Sequence, residues 1–548
     1  MTLDLILLQI IAISCFAILL RSRKNPGWAM VSLGILSVVS IGWFLKAPWT
    51  AWVGGLLWAI GIVLPIQGMA QIGRLRSQEK YVQARKVALL VRLLHPGDGW
   101  WSYPKMLQAQ ALAQRGDRDR SLRILEPLQS IETYDGRLAI AAVHQLQAQW
   151  TKYLQFAETQ LPLSVRLEES SSAGLYLRSL GETRQMNQLL DAVKEVHLRA
   201  RKTGNTALVH QSRLYAFAFT GQTDDLKRLL ATHLNALSPK LKQFWIATAQ
   251  WCAGDFHQAK PEFEDLLANT SDCELRSSLQ WRSQQAPLRT FDLLTIEARQ
   301  TLLRLQTLQQ EDLQYNPRTP LTHAQQAATR TIIGLNLLVY IAPLVVIAVM
   351  PNLDVFIDAA SIPMSSGLER VGRAIVTIYQ WGALVPDQFF AGSWWQPLTA
   401  MFMHDPSGIA HIVLNMLGLA IVGSFVESRL GMKRFLMAYF GTGLGSMVIL
   451  SVLARLADSG TMSAIGASGA IMGMIGVMAA IYWQGWRKGD QVAKHWLRSI
   501  GIIIALQTVF DVLNPQVSMT GHLAGLGLGL VIGGLLVQRG IKTIAVQR

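Results

Sequence analysis

The chain has 548 residues, of which 51% are hydrophobic and only 16% charged, an apolar balance for a soluble protein of this length. Lys and Arg exceed Asp and Glu by enough to leave a net charge of +15, yet no basic run interleaves with aromatics, so nucleic acid is not the expected partner. Cys15, Cys252 and Cys273 lie far apart, which argues against a disulfide framework and against a metal site; no metal and no cofactor is expected.

A membrane crossing needs about 20 mostly apolar residues. The chain opens with three such segments, at 4–20, 29–46 and 51–70. The first, DLILLQIIAISCFAILL, has the length of a signal peptide. It lacks a basic start, and RSRK follows it in place of a small-residue cleavage site, so it is expected to persist as a span. Arg21, Arg23 and Lys24 follow this span, and Arg74, Arg76, Lys80, Arg85 and Lys86 follow the third. Basic residues favour the cytoplasmic side, which places the N-terminus outside and the next region inside.

That next region carries most of the charge. Over about 77–310, apolar residues recur at three- and four-residue spacing, the period of amphipathic helices. Similar turns recur around Gly116, Gly181, Gly221 and Gly254, each a helix end, a Gly with a polar neighbour and a new amphipathic helix. The last two glycines are 33 residues apart, close to the tetratricopeptide period. The region resembles a degenerate tetratricopeptide-type array. Such an array offers a concave surface to a protein partner, and a helical domain without a partner fits the pattern nearly as well.

Six further spans are expected near 332–350, 408–426, 434–454, 464–484, 497–513 and 519–537. Alternation makes 427–434 (ESRLGMKR), 485–498 (GWRKGDQVAKHWLR) and the tail QRGIKTIAVQR cytoplasmic, and all three are basic; the outer connection 455–463 has one Arg, and 514–518 has none. The expected architecture is an all-α polytopic membrane protein. Three transmembrane helices occupy 1–71, a cytoplasmic α-helical domain 72–325, and a six-helix membrane domain 326–548.

Polar groups inside such spans are costly and usually face a bundle interior or a wet cavity. Ser468, in SAIGASGAIMGMIG (463–476), lies about one turn into its predicted span. Gly466, Ala467, Gly469 and Gly473 around it also suit plain helix packing, and the motif alone does not separate a spacer from a nucleophile. His522, in SMTGHLAGLGLGLVIGG, adjoins a stripe of Gly521, Gly525, Gly529 and Gly533 that lets another backbone approach. His411 and Asn415 are four residues apart on one helix face. They read as an interhelical hydrogen-bonding pair or as two donors aimed at a developing negative charge. The topology gives Ser468, His522 and His411 one depth near the outer surface, with Asn415 a turn deeper.

These residues carry a family resemblance. GALVPDQFFAGSWWQPLTAMFMH (382–404), HIVLN (411–415), VESRLG (426–431), GASGA (466–470) and GHLAGLGLG (521–529) stand in the order of a rhomboid intramembrane serine protease, which the last ~220 residues resemble. The resemblance implies a six-helix bundle with Ser468 as nucleophile and His522 as general base, a dyad with no buried carboxylate; the last-but-one span offers only Asp511. It implies an oxyanion hole from the Ser468 N–H, His411 and Asn415. Structural roles fall to Gly466, Gly469, Gly525 and Gly529, and to Glu427 and Arg429, which tie down a cytoplasmic loop. Two positions depart from the family. Gln396 follows Trp395 where Arg is frequent, and Met472 stands where some bacterial members carry a Tyr against the histidine.

The implied substrates are transmembrane segments of other proteins, entering sideways from the lipid bilayer and selected by helix instability. The outer connection 351–407 would roof the water route. Competing readings are a catalytically silent rhomboid-like client-binding protein, a transporter, and a scaffold acting through the helical middle domain. A bacterial plasma membrane is the expected location.

Overall fold

The fold, seen in a computed structural model, is built of helices, with one isolated β-bridge and no strand among the described residues. Those residues are 3–21, 26–95, 101–286, 288–315, 323–349, 378–405, 409–457, 463–514 and 518–538. The tail 539–548, most of the roof 351–407 and parts of the connections 455–463 and 514–518 lie outside them. Two compact units are present, residues 1–309 and 310–547. The long apolar helices are labelled α1 to α9 in chain order.

In the first unit, α1 (Leu3–Arg21), α2 (Pro26–Phe44) and α3 (Thr50–Ser77, with a π turn at Ala59–Val63) pack around Ile11, Cys15, Ile35 and Ile62. Trp58 Nε1 donates to Ser14 Oγ at 2.7 Å, which satisfies two polar groups between apolar helices. Ile13, Met30 and Phe44 point outward and exposed, the pattern of a lipid-facing surface.

The charged region that follows is a succession of short helices, and the largest of its core clusters includes Leu177, Leu189, Phe217, Leu229 and Phe244. Gly116, Gly221 and Gly254 do end helices, with φ of +89°, +74° and +91°. Gly181 does not. It lies inside the helix Ser170–Glu182, where an added Cβ would strike the Phe219 ring, so its small size serves close packing. The turn falls instead at Arg184, whose φ of +64° is held by its Nε donating to Gln285 Oε1 at 2.9 Å. Two buried arginines share one carboxylate here: Arg282 meets Glu182 at 2.5 Å and Arg178 meets it at 3.6 Å. Removing one partner of a buried ion pair usually costs about 3–5 kcal/mol, so this cluster specifies how the helices pair.

The second unit contains α4 (Ala327–Val349), α5 (Ile409–Leu430), α6 (Met432–Leu456), α7 (Ser468–Arg487), α8 (Gln491–Leu513) and α9 (Met519–Gln538). Among the described residues, five helical segments are long and apolar enough to cross a membrane by length and composition: Gly27–Phe44, Thr50–Ser77, His411–Leu430, Met432–Leu456 and Met519–Gln538. Val413, Leu414, Leu417 and Ile421 give α5 an exposed apolar flank, as a bilayer requires. The protein is an integral membrane protein. α7 is the most enclosed helix, packed between α6 and α9 with Val477, Ile481 and Tyr482 fully buried.

Glu427 and Arg429 fasten the chain on either side of α4's entry. The Glu427 carboxylate accepts from the Ala328 N–H at 2.9 Å, the Thr329 N–H at 2.8 Å and the Thr329 hydroxyl at 2.7 Å. The two N–H groups are orphan donors of a helix N-terminus, where negative charge is also favoured. Arg429 Nε donates to the Gln314 carbonyl near the end of the helix Ile296–Tyr315, a place that favours a cation.

Candidate active site

α7 begins at Ser468 itself; the five residues before it are not helical, so Ser468 stands at the helix start and not a turn inside, as its span predicts. The reason lies in the preceding segment. Ala464 pairs with Leu384 in an antiparallel bridge (3.0 and 2.9 Å), and the Gly466 N–H donates to the Ala400 carbonyl at 2.8 Å. Gly466 takes φ +119°, which a side chain would resist, and the helix can start only after it. The first-turn N–H groups of α7, that of Ser468 included, have no carbonyl within the helix to receive them. Together with the helix dipole they favour an anion beside the Ser468 hydroxyl. Ser468 is partly exposed while Gly466, Ala467, Gly469 and Ala470 are buried.

Glycines bring α9 against this helix start. An added Cβ on Gly469 would lie 3.6 Å from the Gly521 carbonyl oxygen, so the chain neighbours of Ser468 and His522 meet. Added Cβ atoms on Gly525 and Gly529 would overlap the carbonyls of Gly469 and Gly473, which makes backbone-to-backbone packing obligatory along this seam.

His522 is 5% exposed, and its Nδ1 lies 2.8 Å from Asp511 Oδ2. Asp511 is itself 4% exposed and accepts from Gln507 Nε2 through its other oxygen at 2.8 Å. The expectation of a histidine without a buried carboxylate is therefore corrected. Near the end of α8, Asp511 turns inward onto His522 in the first turn of α9.

His411 reaches the same turn from α5. An added Cβ on Gly466 would stand 3.0 Å from His411 Nε2, and His411 is within electrostatic reach of His522. The Asp405 N–H points at His411 Nδ1 at 3.5 Å, a long contact that favours the tautomer with the proton on Nε2, facing Gly466. Asn415 is buried and spends one N–H on the His411 carbonyl, 2.9 Å away in its own helix. His404, which the sequence reading did not single out, is fully buried with its ring 5.1 Å from that of His411. Gln396, at the position of family departure, is buried and links the outer connection: its Oε1 accepts from the Val385 N–H at 3.0 Å and its Nε2 donates to Gln388 at 2.8 Å. Met472 is buried within α7. Among the described residues no group of three His, Cys, Asp or Glu side chains could hold a metal ion.

Residues 391–539 match the family described as Rhomboid domain. The chain is 30% identical over 179 residues to RHOMBOID-like protein 6, mitochondrial, of Arabidopsis thaliana (32% of this chain, 52% of that protein). It is 30% identical over 154 residues to Rhomboid protease GluP of Bacillus subtilis (27% of each), and 30% identical over 156 residues to Rhomboid-like protease 3 of Toxoplasma gondii (28% of this chain, 57% of that protein). The chain thus spans about half the length of the first of these relatives. No solved structure matches the chain.

Proposed function

We propose that this chain, whose C-terminal region belongs to the rhomboid family, is an intramembrane serine endopeptidase that cleaves transmembrane segments of other membrane proteins. The observation that supports the reading best is the seam between α7 and α9. It brings the backbone neighbours of Ser468 and His522 together at the N-terminus of a helix, where an oxyanion is favoured.

In this reading Ser468 Oγ attacks the scissile carbonyl while His522 Nε2 takes its proton. The new oxyanion is held by the Ser468 N–H, His411 Nε2 and the Asn415 amide. Collapse expels the amine, which takes the proton back from His522, and water then hydrolyses the acyl ester by the same exchange. Gly466, Gly469, Gly525 and Gly529 keep the backbones close enough for that exchange.

The distribution of Lys and Arg supports a cytoplasmic position for residues 72–325 and an outward-facing site near the ends of α7 and α9. A bacterial plasma membrane is the location carried over from the family resemblance. Three parts follow, 1–71, 72–325 and 326–548, with the middle one available to a protein partner. A regular helix hides its carbonyls in its own hydrogen bonds, so substrates with helix-weakening residues are preferred.

Full-length protein in proteoliposomes, mixed with a single-span substrate, is the test. Cleavage by the wild type that disappears in both Ser468→Ala and His522→Ala is the expected result. Undiminished cleavage by Ser468→Ala would overturn the assignment.

A further inference from the structure

The second half of α8 faces outward almost throughout: Ile502, Ile503, Leu506, Val509 and Val512 are all exposed. On this apolar stretch one carboxylate, Asp511, turns inward and is buried. A buried carboxylate in a membrane helix is expensive unless it is hydrogen-bonded, and it marks a site when it is. Both of its oxygens are engaged, Oδ1 by Gln507 Nε2 and Oδ2 by His522 Nδ1, each at 2.8 Å.

From this geometry we propose that Asp511 is a positioning residue for catalysis, acting through His522. The inference rests on the protease reading above and extends it from two residues to three.

An ionised carboxylate only accepts hydrogen bonds. With Gln507 donating to one oxygen, the other receives the Nδ1–H of His522, and Nε2 is left without a proton as the basic nitrogen. The ring cannot turn over without breaking that bond, so the lone pair stays aimed away from α8. When Nε2 takes the Ser468 proton, the imidazolium has a fixed negative partner on its far side. The proton stays on the histidine, and Asp511 does not take part in the transfer. Gln507, one helical turn before Asp511, sets the carboxylate's own direction. The catalytic histidine is thereby tied to a helix that is otherwise lightly packed.

The experiment uses the full chain in proteoliposomes, with kcat and KM measured for wild type, Asp511→Asn and Asp511→Ala on one single-span substrate. In parallel, ¹⁵N NMR of the histidine rings in the wild type, assigned with His522→Gln, reads which ring nitrogen of His522 is protonated at a pH where the ring is neutral. Both variants should lose about 10-fold or more in kcat with KM within about twofold, and wild-type His522 should carry its proton on Nδ1. Wild-type kcat in both variants overturns the proposal, as does a wild-type proton on Nε2. A loss carried mainly by KM also overturns it. The NMR measurement needs no variant at Asp511, so it decides the matter even if those proteins fail to fold. If the wild type does not cleave, or if Ser468→Ala does, the protease reading fails. If those controls behave and only Asp511 proves dispensable, this inference alone fails.

Discussion

An added Cβ on Gly525 would lie less than 3.0 Å from the carbonyl oxygen of Gly469, a separation that real Cβ atoms essentially never show. The same holds for Gly529 against Gly473, one helical turn further along both helices. Between them, these two contacts set the spacing of α7 and α9, and Ser468 and His522 sit at one end of the seam. The close packing of these small residues and the placement of Ser468 beside the start of α9 are one arrangement.

Substituting Gly529 by Leu should therefore push the helices apart at a distance from the candidate site. Overpacking of this kind costs about 1–3 kcal/mol, so the unfolding midpoint in detergent should fall. Cleavage should fall about 10-fold or more, because proton transfer depends on hydrogen-bonding reach. Gly527, two residues earlier, has nothing within 4 Å of an added Cβ, and Gly527→Leu serves as the control. Equal behaviour of the two variants would show that the seam does not set the geometry.

Gly466→Ala tests the turn that precedes Ser468. Its φ of +119° strains any residue with a side chain, and the new methyl would stand 3.0 Å from His411 Nε2. Strain of this type costs on the order of 1–3 kcal/mol. If His411 donates to the oxyanion, kcat should drop while KM stays close to wild type. A variant whose loss appears in KM alone would place His411 outside the chemistry.

The hydrophobic spacing placed the helices well because lipid-facing surfaces must be apolar and hydropathy reads that directly. All nine anticipated segments contain helix, and the third runs on to Ser77 past its hydrophobic stretch. The start of α7 was not legible, since the bridge from Ala464 to Leu384 joins residues 80 apart in sequence. Gly181 misled because a glycine that admits a Phe219 ring looks, in sequence, the same as one that ends a helix. Asp511 was visible as the lone acid of its span, but its partner was not. Only the fold shows that Asp511, near the end of α8, meets Nδ1 of His522 in the first turn of α9. The part of Glu427 as a cap on α4 was equally hidden, because the donors come from residues 98 and 99 positions away.

Glu427→Ala should expose that cap. Two buried backbone N–H groups and a hydroxyl would lose their acceptor, at a cost of about 1–3 kcal/mol for each donor left unsatisfied. Hydrogen exchange should accelerate at Ala328 and Thr329 before it does in α7. Glu427→Gln, which keeps one acceptor oxygen, should fall between. Unchanged exchange at those two amides would show that the carboxylate does not hold the helix start.

His210 stacks on His233 with ring centroids 4.2 Å apart. Burial, followed by the repulsion of His233, Arg213 and Arg201, pushes the His210 pKa down from 6.5 to about 2. The folded protein thus keeps this imidazole neutral where the unfolded chain would protonate it. The sign follows: its contribution to stability is complete above about pH 6.5 and is lost progressively as pH falls toward about 2, because the unfolded state binds the extra proton. Full-length protein should unfold at a lower temperature at pH 5 than at pH 7.5. His210→Gln, which cannot be protonated, should show a shallower dependence over that interval. Identical pH slopes for the two proteins would mean that His210 is free to titrate in the folded protein and that its burial does not keep it neutral.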